Sequence, residues 1–434
     1  MFEPDTTGIR LGPFWIKPGL TRLNATTVVF GSFCTVAMIV FMGLIQPYVL
    51  NEIVHVPADR QGTVTGRLTL LQEIVTIMLV GLMGAWSDRV GRRFIYSLGF
   101  VVLGLGYLVY PLAGSEFELV VFRLLFAVGT AMVPVMLSAT IQDSPQEISR
   151  GKWVGFNNIF QGLGVLLLST ALLSRGPTIF TGLGYDAVTA GRLSFWAATA
   201  LCLAFALVIR AGMARGGTTT PGKFNVLAQT RDGIAAGWRN PRLALAFGAA
   251  FIGRGDLVVV GSFLTLWITQ AGIDRGLSTA ASVARAAMMF GIVQLAAMAA
   301  AFFVGVMSDR INRVTGLCVG LALACAGYTL MGVAADPFDG TMIAIAVLLG
   351  IGEISVIVSA GALLGQEAGV RRRGAVVGAF NLMGGIGIMT VGFGGGLIYD
   401  AFGRSAPFTV MGILNGALLL IGLFVRQRTA DGAA

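Results

Sequence analysis

The sequence predicts an all-α membrane protein whose twelve transmembrane helices form two pseudo-symmetric six-helix bundles. Three observations predict this fold class: an apolar composition, twelve apolar windows of membrane-spanning length, and an internal repeat. Of the 434 residues, 56% are hydrophobic and 12% are charged, and this charged fraction is about half that of a soluble domain. The composition excludes a soluble enzyme, a disordered protein and a nucleic-acid-binding domain.

The twelve windows are long enough to be helices that cross a membrane. A bilayer core of about 30 Å requires roughly 20 apolar residues in a helix, and a backbone in lipid must form its own hydrogen bonds, which a helix does. The 61 glycines fit close helix packing in a membrane. The windows, numbered here as spans 1 to 12, are 26–50, 63–86, 94–113, 119–141, 152–173, 193–210, 242–268, 278–306, 315–334, 341–364, 375–398 and 406–425.

The loops between these spans differ strongly in positive charge. Loops on the side of the N-terminus carry most of the Lys and Arg residues, and the opposite loops carry only a few arginines. Positive charge marks the cytoplasmic side of a membrane protein, so both termini are expected in the cytoplasm and the protein in the cytoplasmic (inner) membrane. This distribution also accounts for the net charge of +9. The few arginines of the outside loops are Arg60, Arg175, Arg275 and Arg404.

An internal repeat divides the chain into two halves. The loop after span 2, Gly84–Arg93, reads G-A-W-S-D-R-V-G-R-R, and the loop after span 8, Gly305–Val314, reads G-V-M-S-D-R-I-N-R-V. Two further pairs of segments match in the same order: Arg150-Gly151 with Asn158 against Arg373-Gly374 with Asn381, and Tyr185-Asp186-Ala187 against Tyr399-Asp400-Ala401. The predicted domains are an N-terminal bundle (1–210), a cytoplasmic linker with an amphipathic helix (211–241) and a C-terminal bundle (242–434).

This pattern resembles the major facilitator superfamily over nearly the whole chain. The loop G-x-x-x-D-R-x-G-R-R is similar to the signature of that superfamily between helices 2 and 3, and its degenerate copy between helices 8 and 9 is also typical. The signatures of the drug/proton antiporter and sugar-porter subfamilies are missing from helix 5 and from the region after helix 6. The resemblance implies the major facilitator fold and a transporter without a catalytic site or a cofactor.

The resemblance also implies a cytoplasmic gate at the signature loop. In the superfamily, Asp88 would face the start of span 11 and Arg92 would pair with Asp143 when the cytoplasmic side is closed. The alternative is that these charges only set the topology. The expected gate residues are Gly84, Asp88, Arg89, Gly91, Arg92, Arg93 and Asp143, with Asp309, Arg310, Arg313 and Glu367 as their second-half equivalents.

Three acidic residues lie inside the spans, namely Glu73, Asp256 and Glu353. A charge at the bilayer centre costs about 2.5–3.5 kcal/mol even on mild scales, so such residues are candidates for function. Each acid lies about 21–23 Å from the cytoplasmic end of its helix at 1.5 Å per residue. We favour Asp256 as a proton-coupling site and Arg254 as its gate or an anion contact. A structural ion pair of Arg254 with Glu353 or Glu73 is the alternative.

Other polar residues complete the predicted substrate cavity and its outer side. Gln294 occupies the repeat position of Glu73, and Asn158 and Asn381 are repeat equivalents that add neutral polar groups or bond neighbouring helices. Three arginines lie nearer the outer boundary, where interface or outer-gate roles are expected: Arg67, Arg123 and Arg285.

The leading functional prediction is a proton-coupled secondary transporter that moves a small organic, amphipathic or hydrophobic solute by alternating access. Its partners are the solute, protons and the lipid bilayer, without nucleic acid, and we expect a monomer. A passive facilitator and a non-transporting sensor or assembly factor are alternatives. A Cu(I) transporter is a further alternative, because thioether sulfur suits Cu(I) and two methionine pairs lie four residues apart, Met38 with Met42 and Met132 with Met136. With a single histidine, His55, and dispersed cysteines, no metal site of the protein's own is expected.

Overall fold

A computed structural model of the protein describes residues 5–215, 226–368 and 373–431. These ranges contain twelve helices that are long and apolar enough to cross a membrane, which confirms the predicted spans. Most of their ends extend beyond the apolar windows because backbone hydrogen bonding continues into polar residues. The spans are Arg22–Ile53, Gln61–Val90, Arg92–Leu112, Glu116–Asp143, Glu147–Gly182, Ala187–Gly212, Pro241–Asp274, Thr279–Met307, Arg313–Val333, Thr341–Glu367, Gly374–Phe402 and Ala406–Arg428.

Side-chain caps fix where several spans begin. Span 1 starts with a capping box, in which Thr21 accepts a hydrogen bond from the Asn24 backbone and the Asn24 side chain bonds back to the cap. The carboxylate of Asp186 caps span 6 by accepting a hydrogen bond from the Thr189 N–H at 3.0 Å. Because this N–H stabilises the charged form, it lowers the pKa of Asp186, which lies outside the membrane spans.

Two short strands precede span 1 and are not part of the all-α prediction. Strand β1 (Arg10–Leu11) pairs antiparallel with β2 (Phe14–Trp15). The Phe14 ring packs edge-on against the Trp153 ring of span 5, with the ring centroids 5.4 Å apart. The hairpin therefore depends on aromatic contacts with a helix that is distant in sequence. The few residues of the hairpin do not predict these contacts.

The chain divides into two compact units, Met1–His55 with Ile74–Lys223, and Val56–Glu73 with Phe224–Ala434. In the first unit, span 3 packs against spans 4 and 6, and span 1 packs against span 5. In the second unit, span 9 packs against spans 10 and 12, and span 7 packs against span 11. These three helix pairings are the same in the two units, as the sequence repeat predicts.

The first residues of span 2 pack within the second unit. Asp400 at the end of span 11 accepts hydrogen bonds from the backbone N–H groups of Gly62 and Thr63, at 2.9 and 2.6 Å. The Gln270 side chain of span 7 donates to the Ala58 carbonyl at 3.0 Å. Asp400 thus caps a helix that lies far away in the sequence, whereas its repeat counterpart Asp186 caps the helix that follows it.

A helix over Val226–Arg239 lies in the segment where the linker was predicted to be amphipathic. Its inward face is formed by glycines: a Cβ on Gly233 would overlap the backbone of Ala375, and one on Gly237 would crowd the Phe247 ring. On the outward face, Trp238 is 93% exposed. The two glycines therefore let this linker helix lie directly on spans 7 and 11.

Equivalent glycines form the closest helix contact in each unit. A Cβ on Gly164 in span 5 would overlap the carbonyl oxygen of Phe33 in span 1, and a Cβ on Gly387 in span 11 would overlap the carbonyl oxygen of Phe251 in span 7. Since the obstructing atom is backbone in both cases, no side-chain rotation relieves the overlap. These contacts set the spacing between spans 1 and 5 and between spans 7 and 11.

We therefore expect Gly164→Ala and Gly387→Ala each to lower the free energy of unfolding by about 1–3 kcal/mol through overpacking. The matched controls are Gly155→Ala and Gly378→Ala, whose added methyl groups meet open space on the same two spans; they should change stability by less than about 0.5 kcal/mol. Thermal unfolding of the purified variants in detergent measures the difference. Equal stability of all four variants would contradict the packing argument.

Candidate functional site

The two buried acids of the second unit lie in one polar cluster. Asp256 of span 7 is fully buried, and Glu353 of span 10 is 2% exposed. Their carboxyl groups interact electrostatically with each other and with the hydroxyl of Tyr328 in span 9. The Asn415 amide of span 12 donates a hydrogen bond to Asp256 Oδ1 at 3.4 Å. Four helices therefore supply one polar group each to this cluster.

Local sequence explains why Asp256 faces this interior. Gly253 and Gly255 precede it in the same turn, and they let span 7 approach Val356 of span 10 and Val391 of span 11. Directly after this turn, the helix widens into a π-helical segment, Val259–Leu264. Single π-helical turns often accompany functional sites, because the extra residue re-aims neighbouring side chains.

The hydrogen bonding of the cluster is incomplete. Four of its buried oxygens lack a hydrogen-bond partner among the described residues: Asp256 Oδ2, Glu353 Oε2, Asn415 Oδ1 and the Tyr328 hydroxyl. Within the described part of the chain, no Lys or Arg forms an ion pair with either acid. A buried charge without a partner is strongly unfavourable, so this arrangement favours a site where the acids take up protons.

Arg254 lies away from this cluster. Its side chain is exposed and packs beside Gly384 of span 11. The alternative of a tight ion pair with Glu353 or Glu73 is not observed, since Arg254 has no acidic partner within 4 Å in the ranges that the structure covers. Glu73 is half-buried and interacts with Arg254 only at longer range.

The uncharged residues predicted for the substrate cavity are not part of the cluster. Asn158 and Asn381 are both exposed, and Gln294 is half-buried. Asn158 accepts a hydrogen bond from Gln161 at 3.1 Å, one turn further along its own helix. Asn157, by contrast, is fully buried and accepts a hydrogen bond from Ser32, so it joins spans 1 and 5.

The three outer arginines have different environments. Arg67 and Arg285 are exposed, and the guanidinium of Arg285 stacks over the Phe338 ring at 4.3 Å. Arg123 is only 6% exposed and lies over the rings of Tyr110 and Phe126. Aromatic rings of its own unit therefore hold Arg123, and its interface or outer-gate role stays a prediction.

The signature loop between spans 2 and 3 forms an ion pair with the end of span 4. Arg92 pairs with Asp143 and donates to the Ala139 carbonyl at 3.2 Å. Asp88 lies 4.0 Å from Arg92, so it stays loosely held. Gly91 before span 3 has φ +94°, a conformation that favours glycine. Around Gly84 there is open space, Arg89 is exposed and Arg93 is half-buried.

The second-half loop departs from this arrangement. Arg313 donates to the Ala362 carbonyl at 2.7 Å, as Arg92 does in the first half. Glu367, however, pairs with Arg242 at 3.2 Å and accepts a hydrogen bond from Asn240 at 2.8 Å. Its expected equivalence with Asp143 is wrong, because Glu367 binds residues at the start of span 7 and not Arg313. Arg310 is exposed, and the side chain of Asp309 lies outside the described residues.

A double-mutant cycle tests this difference. Arg92→Ala and Asp143→Ala remove the same pair, so their effects on stability should be non-additive by about 0.5 kcal/mol or more. Arg313→Ala and Glu367→Ala have separate partners and should add within about 0.5 kcal/mol. Unfolding midpoints in detergent compare the effect of each double variant with the sum of its two single variants. Additive effects in the first cycle would contradict the Arg92–Asp143 pair.

The methionines of the Cu(I) alternative are all buried in the first unit. Met38, Met42 and Met136 are fully buried and Met132 is 2% exposed, so they act as packing groups there. Among the described residues, no three His, Cys, Asp or Glu side chains form a group that could hold a metal ion.

Comparison with known proteins identifies the family. The family model of the Major Facilitator Superfamily matches residues 28–293 and 278–433. The chain belongs to the major facilitator superfamily. A crystal structure of the nucleoside transporter NupG, 12% identical, has the same fold with a TM-score of 0.70 and covers 94% of this chain and 99% of its own.

Several relatives are similar along most of the chain. The magnetosome protein MamZ of Paramagnetospirillum magneticum is 30% identical over 404 residues, which are 89% of this chain and 60% of MamZ. This chain therefore spans about 60% of the length of MamZ. The magnetosome protein MamH of the same organism is 26% identical, covering 95% and 94% of the two chains. The class G tetracycline resistance protein of Vibrio anguillarum is 25% identical, covering 88% and 90%.

Proposed function

We propose that this member of the superfamily is a proton-coupled secondary transporter of a small organic solute. It works as a monomer in the cytoplasmic (inner) membrane by alternating access, with both termini in the cytoplasm and without enzymatic activity. The observation that carries this proposal is the buried cluster of Asp256 and Glu353, which lacks a cationic partner among the described residues. The fold does not require acids there, and a proton is the counter-ion that the incomplete hydrogen bonding would accept.

An amphipathic or hydrophobic solute is the favoured substrate class. The spans are rich in apolar side chains, and a relative that covers most of the chain is named for tetracycline resistance. That name also favours export over import. Within the second unit, the exposed Asn381 and Arg254, with the half-buried Glu73 and Gln294, would supply the few polar contacts that orient such a solute.

The test is transport in proteoliposomes with an imposed pH gradient, screened over a solute panel that includes tetracycline and nucleosides. We expect accumulation above equilibrium for at least one solute, lost when a protonophore collapses the gradient. Liposomes without protein control for passive entry of hydrophobic solutes. Solute that only equilibrates would instead establish a passive facilitator, and no flux for the whole panel would favour a sensor or assembly role.

The magnetosome relatives favour a second location. MamZ and MamH are both named as magnetosome proteins, and the similarity extends over most of this chain. We therefore also propose that the transporter works in the magnetosome membrane of its host. Cell fractionation with an epitope-tagged chain tests this: enrichment with purified magnetosomes supports it, and recovery only with the bulk inner membrane contradicts it.

A further inference from the structure

Because of the internal repeat, each residue of the buried acid cluster can be compared with the residue at the equivalent position in the first unit. Packing contacts align the two units residue by residue. Gly99 packs on Met132 and Val133 in the first unit, as Gly320 packs on Ser355 and Val356 in the second. These contacts align spans 4 and 10, and they make Thr130 the counterpart of Glu353.

The other members of the cluster are aligned in the same way. Gly164 packs on Phe33 as Gly387 packs on Phe251, and this aligns Met38 with Asp256. The ring of Tyr107 stands 6.0 Å from that of Phe195, as Tyr328 stands 6.4 Å from Phe408, which aligns Tyr107 with Tyr328 and Cys202 with Asn415. The first-unit counterparts of the cluster are therefore Met38, Thr130, Tyr107 and Cys202.

The first-unit counterparts are buried and neutral, and their hydroxyls have partners. Tyr107 donates its hydroxyl hydrogen bond to the Met38 carbonyl, and Thr130 donates to the Ala127 carbonyl at 2.8 Å. In the second unit, the aligned Tyr328 hydroxyl and one oxygen of each acid have no hydrogen-bond partner among the described residues. The same helix packing is thus achieved without any acid, so the fold alone does not explain Asp256 and Glu353.

We propose that Asp256 and Glu353 form a single proton-binding site in which Tyr328 and Asn415 are the positioning residues. This deepens the proposed proton coupling and rests on it. Two carboxylates in a dry interior cannot both be ionised without a nearby cation. The pair would hold one proton between the two carboxyl groups and carry one negative charge. It would become neutral when a second proton arrives from water. This second proton is the one that is released again.

The groups around the pair fit this exchange. The Tyr328 hydroxyl of span 9 interacts with Asp256 and would donate a hydrogen bond to its carboxylate on ionisation. Asn415 of span 12 already donates to Asp256 Oδ1 at 3.4 Å. Span 11 packs on span 7 through the Val391 side chain at Gly255, and span 8 packs on span 10 through the Val293 backbone at Gly350. Among the described residues, Tyr328 and the two acids are the titratable groups that interact in the site.

Infrared difference spectroscopy of the purified protein in lipid tests the shared site without any solute. The readout is the midpoint pH, at which the infrared band of the protonated carboxyl groups has lost half of its intensity. Because coupled carboxyl groups titrate as a pair, D256N and E353Q should each move the midpoint of the remaining carboxyl by about one pH unit or more. Y328F should also move it, and the aligned control Y107F should leave it in place.

An unmoved midpoint in both acid variants would overturn the shared site, because the two carboxyls would then titrate independently. If one acid variant does not fold, Y328F against Y107F decides the same question, since both remove one buried hydroxyl. The outcome is separate from that of the transport test. Coupled carboxyl bands without gradient-driven transport would contradict the proposed function only, and gradient-driven transport with uncoupled bands would contradict the shared site only.

Discussion

Asp256→Asn is expected to abolish accumulation of solute driven by a pH gradient while preserving exchange of solute across equilibrated membranes. The physical reason is that the amide cannot take up and release a proton, yet it has nearly the volume of the carboxyl group. Packing in the second unit is therefore kept, and the hydrogen bond from Asn415 finds an acceptor in the amide oxygen. Comparison of uphill uptake with counterflow in the same proteoliposomes measures the two activities.

The matched control for this variant is Asp232→Asn, the same chemical change at an exposed acid of the linker helix. It should leave both activities at the parental level. Glu353→Gln should behave as Asp256→Asn does, and Glu73→Gln is the third candidate. If Asp256→Asn still concentrates solute at the parental level, the coupling role passes to Glu353 or Glu73. If all three neutral variants do so, coupling through these acids is wrong.

The second large effect is expected at Glu367, where a single carboxylate binds two partners. Glu367→Ala leaves the Arg242 guanidinium and the Asn240 amide without their acceptor. The Glu367 side chain is only 15% exposed, so we expect the free energy of unfolding to fall by about 3 kcal/mol, near the lower end for a pair that loses one partner in a buried place. Thermal unfolding in detergent measures it.

An exposed pair serves as the control for Glu367. Glu147 pairs with Arg150 at 2.7 Å, and both side chains are about half exposed, so Glu147→Ala should cost less than about 1 kcal/mol. A similar loss of stability for the two variants would mean that the Glu367 contacts are screened like surface pairs. The start of span 7 would then be held by packing of Leu243 and Phe247 alone.

The fold could be predicted because it depends on properties that add up along the chain. Twelve apolar windows, the loop charges and the repeat are each spread over many residues, so local exceptions do not obscure them. The Arg92–Asp143 pair could be predicted as well, since the signature loop carries it. The hairpin Arg10–Trp15 could not, because its stability comes from contacts with span 5 rather than from its own sequence.

The partners of the site were harder to predict than its acids. A buried Asp or Glu is conspicuous in an apolar span, and both acids were found for that reason. Tyr328 and Asn415 are neutral, and in sequence they resemble ordinary packing residues; only the aligned contacts of the two units single them out. The partners of Glu367 could not be predicted, because the repeat predicts equal loops, whereas Asn240 and Arg242 at the start of span 7 bind this carboxylate.

The exposed Trp238 gives this protein an optical reporter of its linker helix. Indole emission shifts to shorter wavelength when water around the ring is replaced by lipid. Trp153 and Trp267 are too deeply buried to follow such a change, but Trp86 and Trp196 are partly exposed, so the spectrum of the parent combines several rings. The difference between the spectra of the parent and of Trp238→Phe therefore isolates the signal of one side chain. Brominated lipids that quench this signal would measure directly how deeply the helix is immersed, without any label.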